Sequence, residues 1–406
     1  MNILKDYPSK EELLKNQKSA FRVHEVNGHV HTPYSFSAFN DVKQIFEMAK
    51  KENVKVVGIN DFYVTDGHQP FYEEALKYKV FPLFNLESIS LMKEEQSMKI
   101  RVNDPNNPGR CYFSAKGLNF PFHINPTLRK QLDSVIAETQ VQAREMIRKA
   151  NEWFVKCNAG ISLDYDTVKK QLAKDLVRER HIAKAIRVAV FEKAKTDEER
   201  KALLTLISGG KELKSPLSNV PALDNELRGV FLKAGGYAFV PEDENAFMSL
   251  EDVMRIYLDA GAIPCYPVLL DDPKGNYTEY EANKEQLHKE LTKRGIGCIE
   301  LIPGRNDIKH LKDFVRFFNE KNYVIILGTE HNAPEMIPLT CDTRGNVPLD
   351  EELRKVSYEG ACVVAAHQYL KAKGEEGFIF PCGHAKMEKK AEFIALGHAV
   401  IEKWIN

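Results

Sequence analysis

Two histidines set one apart from the other, His29 and His31, lie in Gly28-His29-Val30-His31-Thr32-Pro33-Tyr34-Ser35. On a β-strand, residues two apart point to the same side. Both imidazoles would then face one spot, an arrangement that suits a divalent metal. Pro33 has no N–H for a sheet ladder, so the strand should stop there. That puts the pair at a strand's C-terminal end, where parallel α/β folds build their active sites. Other strand-like runs also end in potential ligands. Val54–Ile59 leads to Asp61, Val80–Leu86 leads to Glu87, and Tyr323–Leu327 leads to Glu330 and His331. Carboxylates and imidazoles gathered from several strand ends are how a barrel assembles a metal site. The candidate ligands are therefore His29, His31, Asp61, Glu87, Glu330 and His331. Glu300, near another strand end, is either a partner that orients a histidine or an ordinary barrel carboxylate.

The elements that must hold these residues follow from periodicity. A short polar helix is expected over 9–19 and a strand over 22–31. Asp41 opens a helix whose apolar residues Val42, Ile45, Phe46 and Ala49 recur at helical spacing. A strand over 54–59, a helix over 68–79 and a strand over 80–86 continue a β/α rhythm that implies parallel strands. Residues 93–122 read as loop, with a dense turn cluster at Asn103-Asp104-Pro105-Asn106-Asn107-Pro108-Gly109. From 127 to about 207 the pattern is helical, and 208–242 is punctuated by Gly and Pro. The rhythm resumes with a helix over 250–260 and strands over 262–268, 297–301 and 323–327, separated by helices over 279–294 and 307–321. Helices over 349–371 and 386–404 close the chain. The expected organisation is a barrel's first part over 1–122, a helical insertion over 123–242, and the barrel's second part with C-terminal helices over 243–406.

Composition narrows the class. A 406-residue chain with 43% hydrophobic and 28% charged residues can bury a large core. A net charge of -1 argues against a surface built to coat nucleic acid or an acidic membrane. Seven scattered cysteines with no C-x-x-C argue against a disulfide framework and for a reducing compartment. With no apolar signal core and no run of 18 apolar residues, a cytoplasmic location is expected.

Taken in order, the motifs resemble the PHP (polymerase and histidinol phosphatase) metal-dependent phosphoesterases, in the branch with a helical lid inserted in the barrel. His29-Val30-His31-Thr32 and Ser35 resemble the family's opening metal motif. Gly58-Ile59-Asn60-Asp61-Phe62 is similar to its Thr-Asp-His motif, with Phe62 in place of the histidine. Leu86-Glu87-Ser88-Ile89 is similar to the Gly-x-Glu motif whose Glu bridges metals. Arg178-Glu179-Arg180-His181-Ile182-Ala183-Lys184-Ala185-Ile186 resembles the lid's Arg-Pro-His-Ile-Ala-Arg-Ala-Leu. Phe231–Pro241 resembles the return to the barrel, and Gly328-Thr329-Glu330-His331 the closing Gly-Ser-Asp-x-His. The barrel's usual Ala-His-Pro is Cys265-Tyr266-Pro267 here.

The resemblance implies an α/β fold, a distorted (β/α)7 PHP-type barrel with an inserted helical lid. It implies a metal-dependent hydrolase, a phosphoesterase acting on a small phosphorylated metabolite or nucleotide through a metal-activated hydroxide. Two alternatives stay open: a catalytically degenerate binding protein, and a hydrolase of a non-phosphate bond. Asp61 and His331 are the expected catalytic groups. Arg178, His181 and Arg305 are expected to bind an anionic small-molecule substrate, with Arg110 and Lys116 as further candidate cations. No membrane partner is expected, and nucleic acid only as a nucleotide or short oligonucleotide substrate. Because Phe62 and Tyr266 replace family histidines, the expected cofactor is one tightly held Zn, Mn or Fe ion on His29, His31, Glu87 and Glu330. Any second ion would lie nearer Asp61 and His331.

Overall fold

The computed structural model describes residues 2–16, 21–174 and 176–406. Seven strands form one sheet in chain order: β1 (Glu25–Val30), β2 (Val54–Phe62), β3 (Phe81–Leu91), β4 (Arg110–Lys116), β5 (Ile263–Val268), β6 (Cys298–Leu301) and β7 (Val324–Leu327). Parallel pairing joins β1 to β2, β2 to β3, β5 to β6 and β6 to β7, whereas β4 runs antiparallel to both β3 and β5. The sheet nearly closes on itself. Val30 makes a parallel bridge to Glu330, His31 N donates to Glu330 O at 2.8 Å, and Glu330 N donates to His29 O at 2.9 Å. Closure therefore runs through the same residues as the His-x-His strand end.

The first helices are α1 (Lys10–Lys15), α2 (Val42–Lys51), α3 (His68–Tyr78) and α4 (Lys93–Ser97). The expected helix over 9–19 is seen as α1; residues 17–20 lie outside the described residues. Asp41 caps α2, its Oδ1 accepting from Gln44 N at 2.9 Å, and Val42, Ile45, Phe46 and Ala49 are all buried. After the inserted helices come α10 (Leu250–Asp259), α11 (Lys284–Lys293), α12 (Ile308–Glu320), α13 (Glu351–Ala372) and α14 (Lys390–Ile405). Helix α13 packs hard on β7: a Cβ on Gly360 would lie 2.0 Å from Ile325 O, so only glycine fits that approach.

The segment read as loop over 93–122 contains a strand. Its alternation is masked because both faces of β4 are covered: Cys111, Phe113 and Ala115 face one side, and Ser114 and Lys116 are buried on the other. Running antiparallel, β4 needs no crossover helix, only the polar turn cluster that precedes it. Its pairing with Leu86–Leu91 also carries β3 past Glu87, which lies inside the strand rather than at its end.

Between β4 and β5 the chain forms α5 (Pro126–Lys156), α6 (Tyr165–Leu172), α7 (Glu179–Lys193), α8 (Asp197–Ile207) and α9 (Val220–Leu232). These helices enclose their own apolar cluster, including Phe154, Ile182, Ile186, Leu223 and Phe231. The start of α5, through Leu132 and Val135, belongs to the barrel's cluster instead.

Tyr266 on β5 serves the fold. Its hydroxyl donates to Glu281 Oε1 at 2.9 Å, and the same carboxylate accepts from Leu269 N and Leu270 N at 3.1 and 2.8 Å. Glu281 thus holds the turn after β5, where Leu270 has a φ of 61°. Burial raises the Glu281 pKa to about 7, against the lowering effect of those three donors. A carboxyl whose folded pKa exceeds its unfolded one binds more protons when folded, so stability falls as pH rises between about 4.5 and 7. Glu281→Gln should remove that contribution. Relative to wild type, the variant should gain up to roughly 3 kcal/mol between pH 4.5 and 8. Urea unfolding at both pH values checks this; a pH-independent gap would contradict it.

Candidate metal centre

The end of β1 carries His29 and His31 into the barrel mouth, and β3 brings Glu87 beside them. His29 Nε2 and His31 Nε2 are 3.3 Å apart, and His31 Nε2 is 3.5 Å from Glu87 Oε2. Zinc bonds of about 2.0–2.2 Å at the tetrahedral angle put neighbouring ligand atoms about 3.3–3.6 Å apart. The two separations match that edge length, and the ligand atoms of all three residues lie within 4.8 Å of one another. Two imidazoles and one carboxylate leave a coordination position open, as a catalytic ion needs. These residues fit a single divalent ion.

The neighbours present the correct nitrogens. His29 Nδ1 donates to Glu300 Oε2 at 3.0 Å, leaving Nε2 with its lone pair. Asn60 Nδ2 lies 3.2 Å from His29 Nδ1 and 3.0 Å from Nε2. Such similar distances put that amide beside the ring, off the lone-pair axis of either nitrogen. For His31, Ser35 is decisive. The Ser35 hydroxyl donates to Asp61 Oδ1 at 2.6 Å, so its oxygen accepts from His31 Nδ1 at 3.3 Å. His31 Nε2 is therefore also free to ligate. Burial, reinforced by neighbouring His29, pushes the His31 pKa well below its usual value and keeps it neutral. Burial raises the Glu87 pKa, since a carboxylate sealed among Glu330 and Glu300 ionises reluctantly without a cation.

The structure does not bring the other expected ligands into this group. Asp61 is buried with both oxygens engaged: Oδ1 accepts from Thr32 N at 2.7 Å and from Ser35, and Oδ2 from Thr32 Oγ1 at 2.5 Å. Burial raises its pKa to about 7 even against those donors. Asp61 shapes the loop after β1 and orients Ser35. His331 is likewise spent. Thr329 Oγ1 accepts from Asn27 at 2.7 Å and donates to His331 Nδ1 at 2.6 Å, and His331 Nε2 donates to Ile337 O at 2.9 Å. Neither residue, each expected as a catalytic group, joins His29, His31 and Glu87. Glu330 does reach the cavity, but its Oε2 is taken by Arg305 and by Asn332 Nδ2. Glu330 and His331 both have positive φ, 65° and 53°, in a chain pressed so close that a Cβ on Gly328 would lie 2.5 Å from His29 Cβ.

Above the centre lies a cavity of about 590 Å³ between the barrel mouth and helices α5, α7 and α9. His29, Glu87 and Glu300 line it from the barrel, Arg178 and Arg180 from the inserted helices. Arg178 lies 4.9 Å from the Phe62 ring and 5.8 Å from that of Phe36, which itself stacks on His31. Among the described residues no carboxylate pairs with Arg178, whereas Arg110 pairs with Glu242 and Arg305 with Glu330. His181 does not line the cavity. Its Nδ1 accepts from Arg178 N at 3.0 Å, and burial lowers its pKa to about 3. It positions the Arg178 backbone rather than touching a ligand. Lys116, a candidate substrate cation, is fully buried beneath the cavity and bonded to Glu300 and Asn60.

The PHP-domain family model matches residues 27–189, from β1 through α7. Among solved structures, a Bifidobacterium adolescentis protein, provisionally described as a metal-dependent phosphoesterase, aligns with a TM-score of 0.51 and 15% identity, over 82% of this chain and 96% of that one. An amidohydrolase from Chromobacterium violaceum, with bound sulfate and no metal, aligns with the same TM-score, identity and coverage. At that identity they bear on the fold alone. No curated protein matches in sequence. Among the described residues no helix is long and apolar enough to cross a membrane.

If His29, His31 and Glu87 hold an ion, His31→Ala should lower bound zinc at least tenfold while leaving the circular dichroism spectrum unchanged. Asp61→Asn should act less, because it reaches the ion only through Ser35 and His31. Elemental analysis after dialysis checks this; equal metal content in wild type and His31→Ala would refute the assignment.

Proposed function

We propose that this protein is a metal-dependent hydrolase of phosphate esters of small molecules. The observation that carries the reading is the His29–His31–Glu87 group, opening onto a cavity that Arg178 enters from the opposite side. A divalent ion held there would supply Lewis acidity and acidify a water near neutral pH.

This chain's own residues supply the rest. Glu300 keeps His29 Nε2 turned to the ion, and the Asp61–Ser35 pair does the same for His31. Arg178, with no carboxylate partner, is the cation that meets the ester's negative oxygens. Its guanidinium rests on Phe62 and Phe36, which limits its freedom before a substrate arrives. Arg305 is a weaker candidate because Glu330 already neutralises it. The inserted helices act as a lid that shields the ester from bulk water. The active protein is expected in a reducing, cytoplasmic setting, in keeping with seven free cysteines.

A panel of phosphate monoesters and diesters, assayed with added Mn²⁺ or Zn²⁺ and again with chelator, tests the reading. Turnover should need the metal. Arg178→Ala should raise KM for an anionic ester by tenfold or more, the effect of losing a charged hydrogen bond of about 1.5–3 kcal/mol, with metal content unchanged. Metal-dependent turnover of amides but not of esters would favour hydrolysis of a C–N bond instead. No turnover with metal bound would favour a binding protein.

A further inference from the structure

Directly beneath the metal centre the barrel holds a lysine that the proposed chemistry does not use. Lys116 is on β4, two residues after Ser114, and its side chain is fully buried. Its Nζ donates to Glu300 Oε2 at 2.5 Å and to Asn60 Oδ1 at 3.1 Å. Ser114 Oγ donates to the other oxygen of the same carboxylate, Oε1, at 2.5 Å. Lys116 does not line the cavity, so it cannot meet a substrate.

We propose that Lys116 is a built-in cation that stands where a second divalent ion would otherwise bind, and so holds the centre to one ion. The proposal rests on reading His29, His31 and Glu87 as ligands of the first. A carboxylate and an amide carbonyl are donors a hard divalent cation seeks, and here both meet an ammonium, with the Ser114 hydroxyl on the carboxylate's other oxygen. Glu300 Oε2 also takes His29 Nδ1, at 3.0 Å. The ammonium therefore sits one carboxylate oxygen away from a ligand of the first ion. A second divalent ion at the same oxygen would have to displace it, because two cations so close repel strongly in a buried site. Lys116 is thus a positioning residue: it fixes the carboxylate that orients His29 and withholds that carboxylate from metal.

The test counts ions. Wild type, Lys116→Ala and Lys116→Ala/Glu300→Gln are saturated with Mn²⁺, freed of excess and analysed for manganese per chain, with melting recorded with and without Mn²⁺. Lys116→Ala should hold one more Mn²⁺ per chain than wild type. Its melting temperature should also rise more on adding Mn²⁺, since the ion replaces a lost cation. The double variant, lacking both charges, should return to the wild-type count. Lys116→Ala with the wild-type count would overturn the proposal. So would Lys116→Ala that stays unfolded in saturating Mn²⁺, or a double variant that keeps the extra ion. A wild type that binds no Mn²⁺ would instead overturn the proposed function, so the two failures are told apart by the wild-type count.

Discussion

The constraint on which the site depends is the buried contact between the Lys116 ammonium and the Glu300 carboxylate. Neither group would be tolerated alone in a barrel interior, because desolvating an unpaired charge costs several kcal/mol. Burial by itself would raise the Glu300 pKa, but Lys116 and then His29 outweigh it and hold the carboxyl well below its ordinary range. Burial opposes the charge on Lys116 too, and Glu300 outweighs that. The ionised carboxylate then fixes the His29 tautomer, and that tautomer decides which nitrogen faces His31 and Glu87. Strands β1, β2, β4 and β6 are thereby tied together in the barrel interior. A second chain of bonds, Asp61–Ser35–His31, supports the other imidazole.

Much of this was legible in the sequence because it follows from a period of two. His29 and His31 share a face on any strand, and the apolar pattern of Val42, Ile45, Phe46 and Ala49 needs no tertiary partner to be read. What was not legible depends on neighbours far away in the chain. Asp61 has the chemistry of a ligand, but nothing in the sequence shows that Thr32 and Ser35 consume both its oxygens. His331 is the same case, with Asn27 setting the direction of the Thr329 hydroxyl. His181 has helical spacing to Arg178, yet the spacing serves a turn of backbone rather than a shared binding face. Strand β4 was hidden because a strand covered on both faces has no polar–apolar alternation. Its signal was the spacing of Ser114 and Lys116, polar residues two apart within an otherwise apolar run.

The inserted helices explain how one barrel could be adapted without altering its ligands. Their apolar cluster is separate from the barrel's, so their packing can vary while β1 and β3 stay in register. Only a few of their residues face the cavity, and among the described residues Arg178 and Arg180 are the cavity-lining arginines with no carboxylate paired to them, Arg180 bonding only the neutral Asn225 Oδ1 at 2.9 Å. Selectivity for a substrate's charge would then reside in the helices, and reactivity in the barrel. Tyr266 fits the same division, since it has been turned to the support of the β5 exit through Glu281.

The most direct measurement of the account is anomalous diffraction at the manganese or zinc edge from crystals soaked in that metal. One strong peak is expected within bonding distance of His29 Nε2, His31 Nε2 and Glu87, and none beside Asp61 or His331. Peaks at Asp61 and His331, or no peak at the His-x-His strand end after soaking, would contradict it.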